Sequence, residues 1–370
     1  MPPLLLLPLL FQLPANQTFS PVDSKEFQAE IHRIEQLQET AGDKSTVLYA
    51  LARTWAAGGQ YQKAMDTLNK SAALNVGLDP SNDKIFAKMS EAAEYKALLT
   101  KIRTDTPPIV NSRLAFTIQE QGLSPEGIAY DPSRNRFYLG STTKHKIIEC
   151  TSTGACRDFA TEVGEVLGLK IHNGTLWAAS TTNLFRFSIP SGKLIHKYTG
   201  GRLFNDLAID KQGDVFVTDT QAAAVYWIPH ATDRLQLLNP ALKVEAANGI
   251  ALSDDGRKLY VAGFPEGITV VDLRSGKFHP ISHPADLCLA TIDGLAFFKG
   301  SLIAIQNGIM THRVARYNLT PDLNAIASFE VLERRNPLFD GPTTGAIANG
   351  AFYFMANTND HPIKILKLNL

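Results

Sequence analysis

Six in-register copies of one strand-turn-strand pattern, their even spacing, and a helix-period segment ahead of them predict the fold class. It is an all-β six-bladed propeller preceded by a small all-α helical-repeat-like domain. The copies are SPEGIAYDPSRNRFYLGST, EVLGLKIHNGTLWAAST, LFNDLAIDKQGDVFVTDT, AANGIALSDDGRKLYVAGF, TIDGLAFFKGSLIAIQNG and PTTGAIANGAFYFMANT. Each is a short apolar strand with a small residue near its start, a polar turn, and a second strand rich in Tyr, Phe, Trp and Val. In register, the residue before the small position is Glu126, Leu167, Asn205, Asn248, Asp293 and Thr344, at gaps of 41, 38, 43, 45 and 51 residues. A four-stranded blade has this period, and residues 113–370 allow 43 residues for each of six. A β-sandwich would not repeat in register six times. The last copy is one strand short, because only IKILKL follows it. LAFTI, residues 114–118, precedes the first copy and is expected to complete that blade and close the ring.

Residues 23–104 carry helical spacing. Asp23 and Ser24 are cap residues for a segment with Phe27, Ile31, Ile34 and Leu37 on one face. Leu51, Trp55, Tyr61, Ala64, Leu68 and Ala72 continue the period around Gly58-Gly59, and Pro80 closes the run. This helix, Gly turn, helix unit resembles one tetratricopeptide-type repeat, and IFAKMSEAAEYKALLTKI reads as a shorter, degenerate helical pair. A single repeat needs a neighbour to stack on. It is expected either to cap the propeller or itself, or to recruit a protein partner. Pro107-Pro108 make residues 105–112 an extended linker, so that residues 113–370 would fold without the helices. Residues 1–22 read as an export signal and leader, with an apolar run from Leu4 to Leu13 and Ala15 before the cleavage point. A lipid-tethered or uncleaved terminus is the alternative. The expected location is periplasmic or secreted, and no later stretch has the length and apolarity to span a membrane.

The inner strand of each blade lines a propeller's central channel, so equivalent positions at its start form a ring around the axis. Here that ring holds Glu126, Asn205, Asn248 and Asp293, with Leu167 and Thr344 between them. Each of the four polar residues offers oxygen, and none is Cys or His. Hard oxygen donors suit Ca²⁺, then Mg²⁺ or Mn²⁺, whereas zinc recruits His or Cys. Any one of the four is an ordinary turn residue. Two facing acids without a cation, however, would repel each other and be costly to desolvate.

On SPEG, FNDLAID, ANGIALSDDG and IDGLAF, the propeller resembles the regucalcin and gluconolactonase family, distant kin of diisopropyl fluorophosphatase, paraoxonase and strictosidine synthase. The resemblance implies a catalytic divalent ion, usually calcium, held by Glu126, Asn205, Asn248 and Asp293. It also implies hydrolysis of a small-molecule lactone or related ester. Asp293 is the expected catalytic residue, Glu126 the metal holder, and Asp206 either an orienter of Asn205 or a solvated turn carboxylate. Sugar-lactone members carry an Arg two residues before the FND-context Asn, where this chain has Leu203; Arg202 falls on the other face of the strand. The alternative is a non-catalytic binding propeller with a structural metal and a partner-recruiting helical module.

The pocket floor is expected from the ends of the second strands: Thr142, Ser180, Asp219, Phe264, Asn307 and Asn357. No spacing selects His145, His283 or His312 as an acid or base. Thirty-six basic residues balance thirty-six acidic ones, so no global field attracts nucleic acid. Apolar residues at 44% and charged residues at 19% fit a globular chain. Cys150 and Cys156 flank a hairpin turn and are either disulfide-bonded or two free thiols in a sheet; Cys288 is left over as a small core residue.

Overall fold

The structure, a computed structural model, describes residues 25–40, 44–358 and 362–370; the export leader expected at residues 1–22 and the caps at Asp23 and Ser24 lie outside them. Six four-stranded antiparallel sheets form the six blades, each read in chain order from the inner strand outward. The first is Pro125–Asp131, Arg136–Ser141, Ile147–Thr151 and Cys156–Ala160. The fifth is Ile292–Phe298, Ser301–Gln306, Arg313–Leu319 and Ile326–Arg334. In the sixth, Gly345–Ala348, Ala351–Met355 and Ile363–Asn369 are completed by Arg113–Ile118 as the outer strand. That pairing, Arg113↔Lys367 through Ile118↔Ile363, is the expected closure between the two ends of the ring. Alternation along the strands fills one apolar core between each pair of neighbouring blades, as where Ile128 and Phe137 meet Phe116 and Ile363.

The small residue of the repeat has a packing cause. A Cβ at Gly127 would lie 2.7 Å from Leu167 O, one at Gly249 2.6 Å from Asp293 O, and one at Gly294 2.8 Å from Thr343 O. Each glycine sits where the next blade's backbone passes over it, and no side chain fits there. The third blade is the exception, with Asp206 at this position.

Four helices precede the propeller: α1 (Lys25–Thr40), α2 (Lys44–Ala57), α3 (Tyr61–Ala73) and α4 (Ala93–Asp105). The segment expected as a degenerate helical pair is a 3-10 turn, Lys84–Met89, followed by α4. The helices do not form a core of their own. Phe27, Trp55, Phe86 and Tyr95 share one apolar cluster with Cys288, Ala290, Ile309 and Met310 of the fifth blade, and Phe264 of the fourth packs on it. Backbone bonds run between the two parts, from Asp79 N to Ile309 O at 2.8 Å and from Thr311 N to Gly77 O at 2.7 Å. The linker is also tied down, since Ile109 pairs with Arg334. The helices therefore pack on the propeller as a cap, and this shared core stands against the expectation that residues 113–370 fold without them.

Cys150 and Cys156 are paired across neighbouring strands and disulfide-bonded. Cys288 is free and buried. Among the described residues, no helix is long and apolar enough to cross a membrane.

Candidate metal centre

The strand register explains why the ring residues face the channel. Pairing between inner and second strands slips at Pro125/Ile128, Val166/Gly168, Phe204/Leu207 and Ile292/Gly294. Glu126, Leu167, Asn205 and Asp293 are thus bulge residues, and a bulge turns its side chain out of the regular alternation. Asn248 stands just before its strand, its N–H bonded to Ala262 O at 2.9 Å. The chain enters three of these sites through left-handed non-glycine residues: Ser124 (φ 40), Ala246 (φ 46) and Thr291 (φ 50). Such backbone costs about 1–3 kcal/mol per residue and concentrates at functional sites.

The four polar positions come together at one end of the channel. Burial first, and then the charge of Asp293, pushes Glu126 up to about 8. Burial also raises Asp293; hydrogen bonds from Asn307 and Asn248 oppose the rise, and the charge of Asp206 adds to it. Both residues are half-buried, and protein surrounds their carboxylates closely enough to disfavour ionisation. Asn307 Nδ2 donates to Asp293 Oδ2 at 2.6 Å and to Pro342 O at 3.0 Å, which fixes the carboxylate's rotamer. Asn205 Nδ2 donates to Thr220 Oγ1 at 3.1 Å, and Thr220 Oγ1 donates to Ala247 O at 2.6 Å. Asn205 Oδ1 accepts no hydrogen bond among the described residues. Asn248 Oδ1 is buried with no partner. Thr344 turns its hydroxyl to Glu126 O, which joins the sixth blade to the first.

Asp206 is neither solvated nor in contact with the Asn205 side chain. It is buried, accepts Leu207 N at 2.8 Å and Ile250 N at 3.4 Å, and pairs with Lys170 Nζ at 3.4 Å. It braces the second, third and fourth blades where glycines serve elsewhere, and Thr220 is what orients Asn205. Of the six expected floor residues, Asn307 bonds a ring residue, Asp293. Ser180 Oγ donates to Val163 O, Thr142 Oγ1 donates to Ser124 O, and Asp219 accepts the N–H groups of Arg202 and Leu203. Asn357 Oδ1 accepts Lys364 N, and Phe264 packs under the helices. These satisfy strand-end backbone or fill cores. His145 is exposed, His283 bonds Pro284 O, and His312 lies where the helices meet the fifth blade. Below the ring the channel is a cavity of about 290 Å³, lined by Ile128, Ile250, Leu295 and Ile347 together with strand backbone, with Lys170 on its wall.

Residues 124–297, which include all four polar ring positions, match the family model described as SMP-30/Gluconolactonase/LRE-like region. A gluconolactonase from Xanthomonas campestris has a similar structure at TM-score 0.53 and 16% identity, over 70% of this chain and 91% of that one. Regucalcin from Agrobacterium tumefaciens, a calcium-binding protein, is similar at TM-score 0.52 and 18% identity, over 70% of this chain and 94% of that one. At these identities the structures establish the shared fold. No curated protein matches the sequence.

Proposed function

We propose that this gluconolactonase-like propeller is an exported, divalent-metal-dependent hydrolase of lactones or related small esters. The observation that carries the reading is the pair Glu126 and Asp293, two enclosed carboxylates, both held by burial above the usual carboxylate range and Glu126 further raised by the charge of Asp293, beside the unpartnered Asn248 Oδ1. That donor set fits a hard cation. Its members are all oxygen, and among the described residues no cluster of three His, Cys, Asp or Glu offers an alternative. Glu126, Asn205, Asn248 and Asp293 would hold Ca²⁺, or Mg²⁺ or Mn²⁺ in its place. The Cys150–Cys156 bond supports an oxidising compartment.

The bound cation would supply the charge that polarises an ester carbonyl and stabilises its oxyanion. Asp293 is the base or nucleophile: ionised once the site is filled, it takes the proton of an attacking water or attacks the carbonyl itself. Asn307 keeps that carboxylate in one orientation. Asn205, set by Thr220, presents its carbonyl oxygen to the same space. Leu203 places no guanidinium beside the ring, so a substrate read through an Arg at that position is not the expected one. A panel of lactones and esters, assayed with and without chelator, tests the activity. Hydrolysis of none of them by protein that retains its cation would replace the enzyme with a binding protein.

The raised carboxylates set a pH dependence. A proton bound more tightly in the folded than in the unfolded state stabilises the metal-free protein fully below the ordinary carboxylate range. That stability is lost as pH rises toward about 8, the value for Glu126. A cation must displace that proton. Its affinity is therefore expected to climb up to about tenfold per pH unit between 6 and 8, with protons released on binding. Titration calorimetry in two buffers of different ionisation enthalpy reads both quantities. A flat affinity with no proton release would show that the carboxylates do not bind the ion.

A further inference from the structure

The helical cap and the propeller enclose a second cleft. Asp79, Ser81 and Asn82 come from the helical side, Met310, Thr311 and His312 from the top of the fifth blade, and Arg335, Asn336 and Phe339 from the chain entering the sixth. Its volume is about 160 Å³, room for about five waters at about 30 Å³ each, or for one end of a small molecule.

Arg335 builds the junction. Its Nη2 donates to Asp79 Oδ2 at 2.8 Å, to Thr106 Oγ1 at 3.1 Å and to Thr311 Oγ1 at 3.3 Å, and its Nε donates to Thr106 O at 3.0 Å. It does so from a left-handed backbone, φ 48, which a bulky residue adopts only when its surroundings hold it there. Asp79 offsets the Arg335 charge, and the Asp340 carboxylate also acts on the cleft at His312, so the cleft carries no net positive charge. Several polar groups remain unused. The His312 imidazole makes no hydrogen bond among the described residues, and neither do Arg335 Nη1 or the side chains of Ser81 and Asn82. Burial lowers His312, opposed by the charges of Asp79 and Asp340 and assisted by Arg335. The neutral ring offers one donor and one acceptor. Met310 and Phe339 add apolar surface beside them.

The cleft adjoins the ring. Asn307, which bonds Asp293, is three residues before Met310, and its other partner, Pro342, is three residues after Phe339. Three residues of chain span at most about 11 Å, so Met310 and Phe339 lie within that distance of Asn307 and Pro342, the two residues joined beside the Asp293 carboxylate.

We propose that this cleft is a second substrate pocket, which receives an uncharged, hydroxyl-bearing end of the ester whose carbonyl sits at the ring. Two carboxylates against one guanidinium rule against an anionic end group, and the mixed donors and acceptors suit a hydroxyl, which is both. The helical cap thus supplies substrate recognition that Leu203 does not. The proposal rests on the hydrolase reading, and its test separates the two.

Phenyl hexanoate and phenyl 6-hydroxyhexanoate differ only at the far end. The full chain is expected to favour the hydroxylated ester by about tenfold or more in kcat/KM, because a site built to bond a hydroxyl discriminates against its absence. His312→Phe and, separately, Asn82→Leu should each bring that ratio to about one, with the thermal midpoint as a control for folding. Independently of catalysis, erythritol should shift the His312 ring resonances saturably at millimolar concentration. If neither ester is hydrolysed, the lactone and ester panel judges the hydrolase reading and the erythritol titration alone judges the cleft. A preference that survives both substitutions, or His312 resonances that erythritol leaves unmoved, overturns the second pocket.

Discussion

Asp293→Asn is expected to lower hydrolysis by roughly a hundredfold or more, in line with the loss of a positioned acid-base group. The substitution keeps the size and one oxygen that can still accept from Asn307, now 2.6 Å from Asp293 Oδ2. It removes the charge and the basicity. Cation binding should weaken without disappearing, since three of the four donors are untouched. Glu126→Gln separates the two roles, because its deficit should be recovered at high cation concentration while the kcat deficit of Asp293→Asn persists at saturation. Thr344, the equivalent position in the sixth blade, is no innocent control, because its hydroxyl bonds Glu126 O. Rates for Asp293→Asn within a few-fold of the parent, on substrates the parent hydrolyses, would remove Asp293 from the chemistry.

Excising the helices is the second change with a large expected effect. Without residues before 105 the fifth blade would expose Ala290, Ile309 and Met310, all now buried. Fully burying one Ile or Met side chain is worth about 1.5–3 kcal/mol, against a total stability of about 5–15 kcal/mol for a typical protein. Arg313 would lose its bond to Val76 O at 3.2 Å and keep those to Gln306 Oε1 and Cys288 O inside a half-opened core. Residues 105–370 alone should therefore aggregate or melt well below the full chain. The segments from Cys288 toward Asp293 and from Asn307 to Met310 sit in that core, so cation affinity should fall with it. A soluble fragment with an unchanged midpoint and affinity would mean that the shared cluster contributes little.

The blades and the ring were legible because both arise from a repeated local pattern. Alternation marks the strands, and the glycine after Glu126, Leu167, Asn248 and Asp293 marks a crossing of adjacent backbones that recurs around the axis. The bulges that aim Glu126, Asn205 and Asp293 leave no composition of their own, but they fall at one register and so appear as a column in the repeat. What escaped the sequence depends on partners distant in the chain. Thr220 reads as one more threonine at a strand end until it is seen beside Asn205. Thr142, Ser180, Asp219 and Asn357 look alike as pocket residues, yet blade tops carry unpaired backbone groups, and short polar side chains are consumed in satisfying them. The helical faces announced burial without saying against what. Cys288, Ile309 and Met310 read as ordinary propeller residues, so the shared core had no sign in either part alone.

The central claim is a divalent cation held by Glu126, Asn205, Asn248 and Asp293, and calorimetric titration of the chelator-treated full chain with calcium tests it most directly. One ion per chain should bind, the thermal midpoint should rise in step as expected for a ligand bound only by the native state, and Glu126→Gln should weaken both effects. Absence of binding heat for calcium, magnesium and manganese, with one midpoint in chelator and in millimolar cation, would contradict the claim.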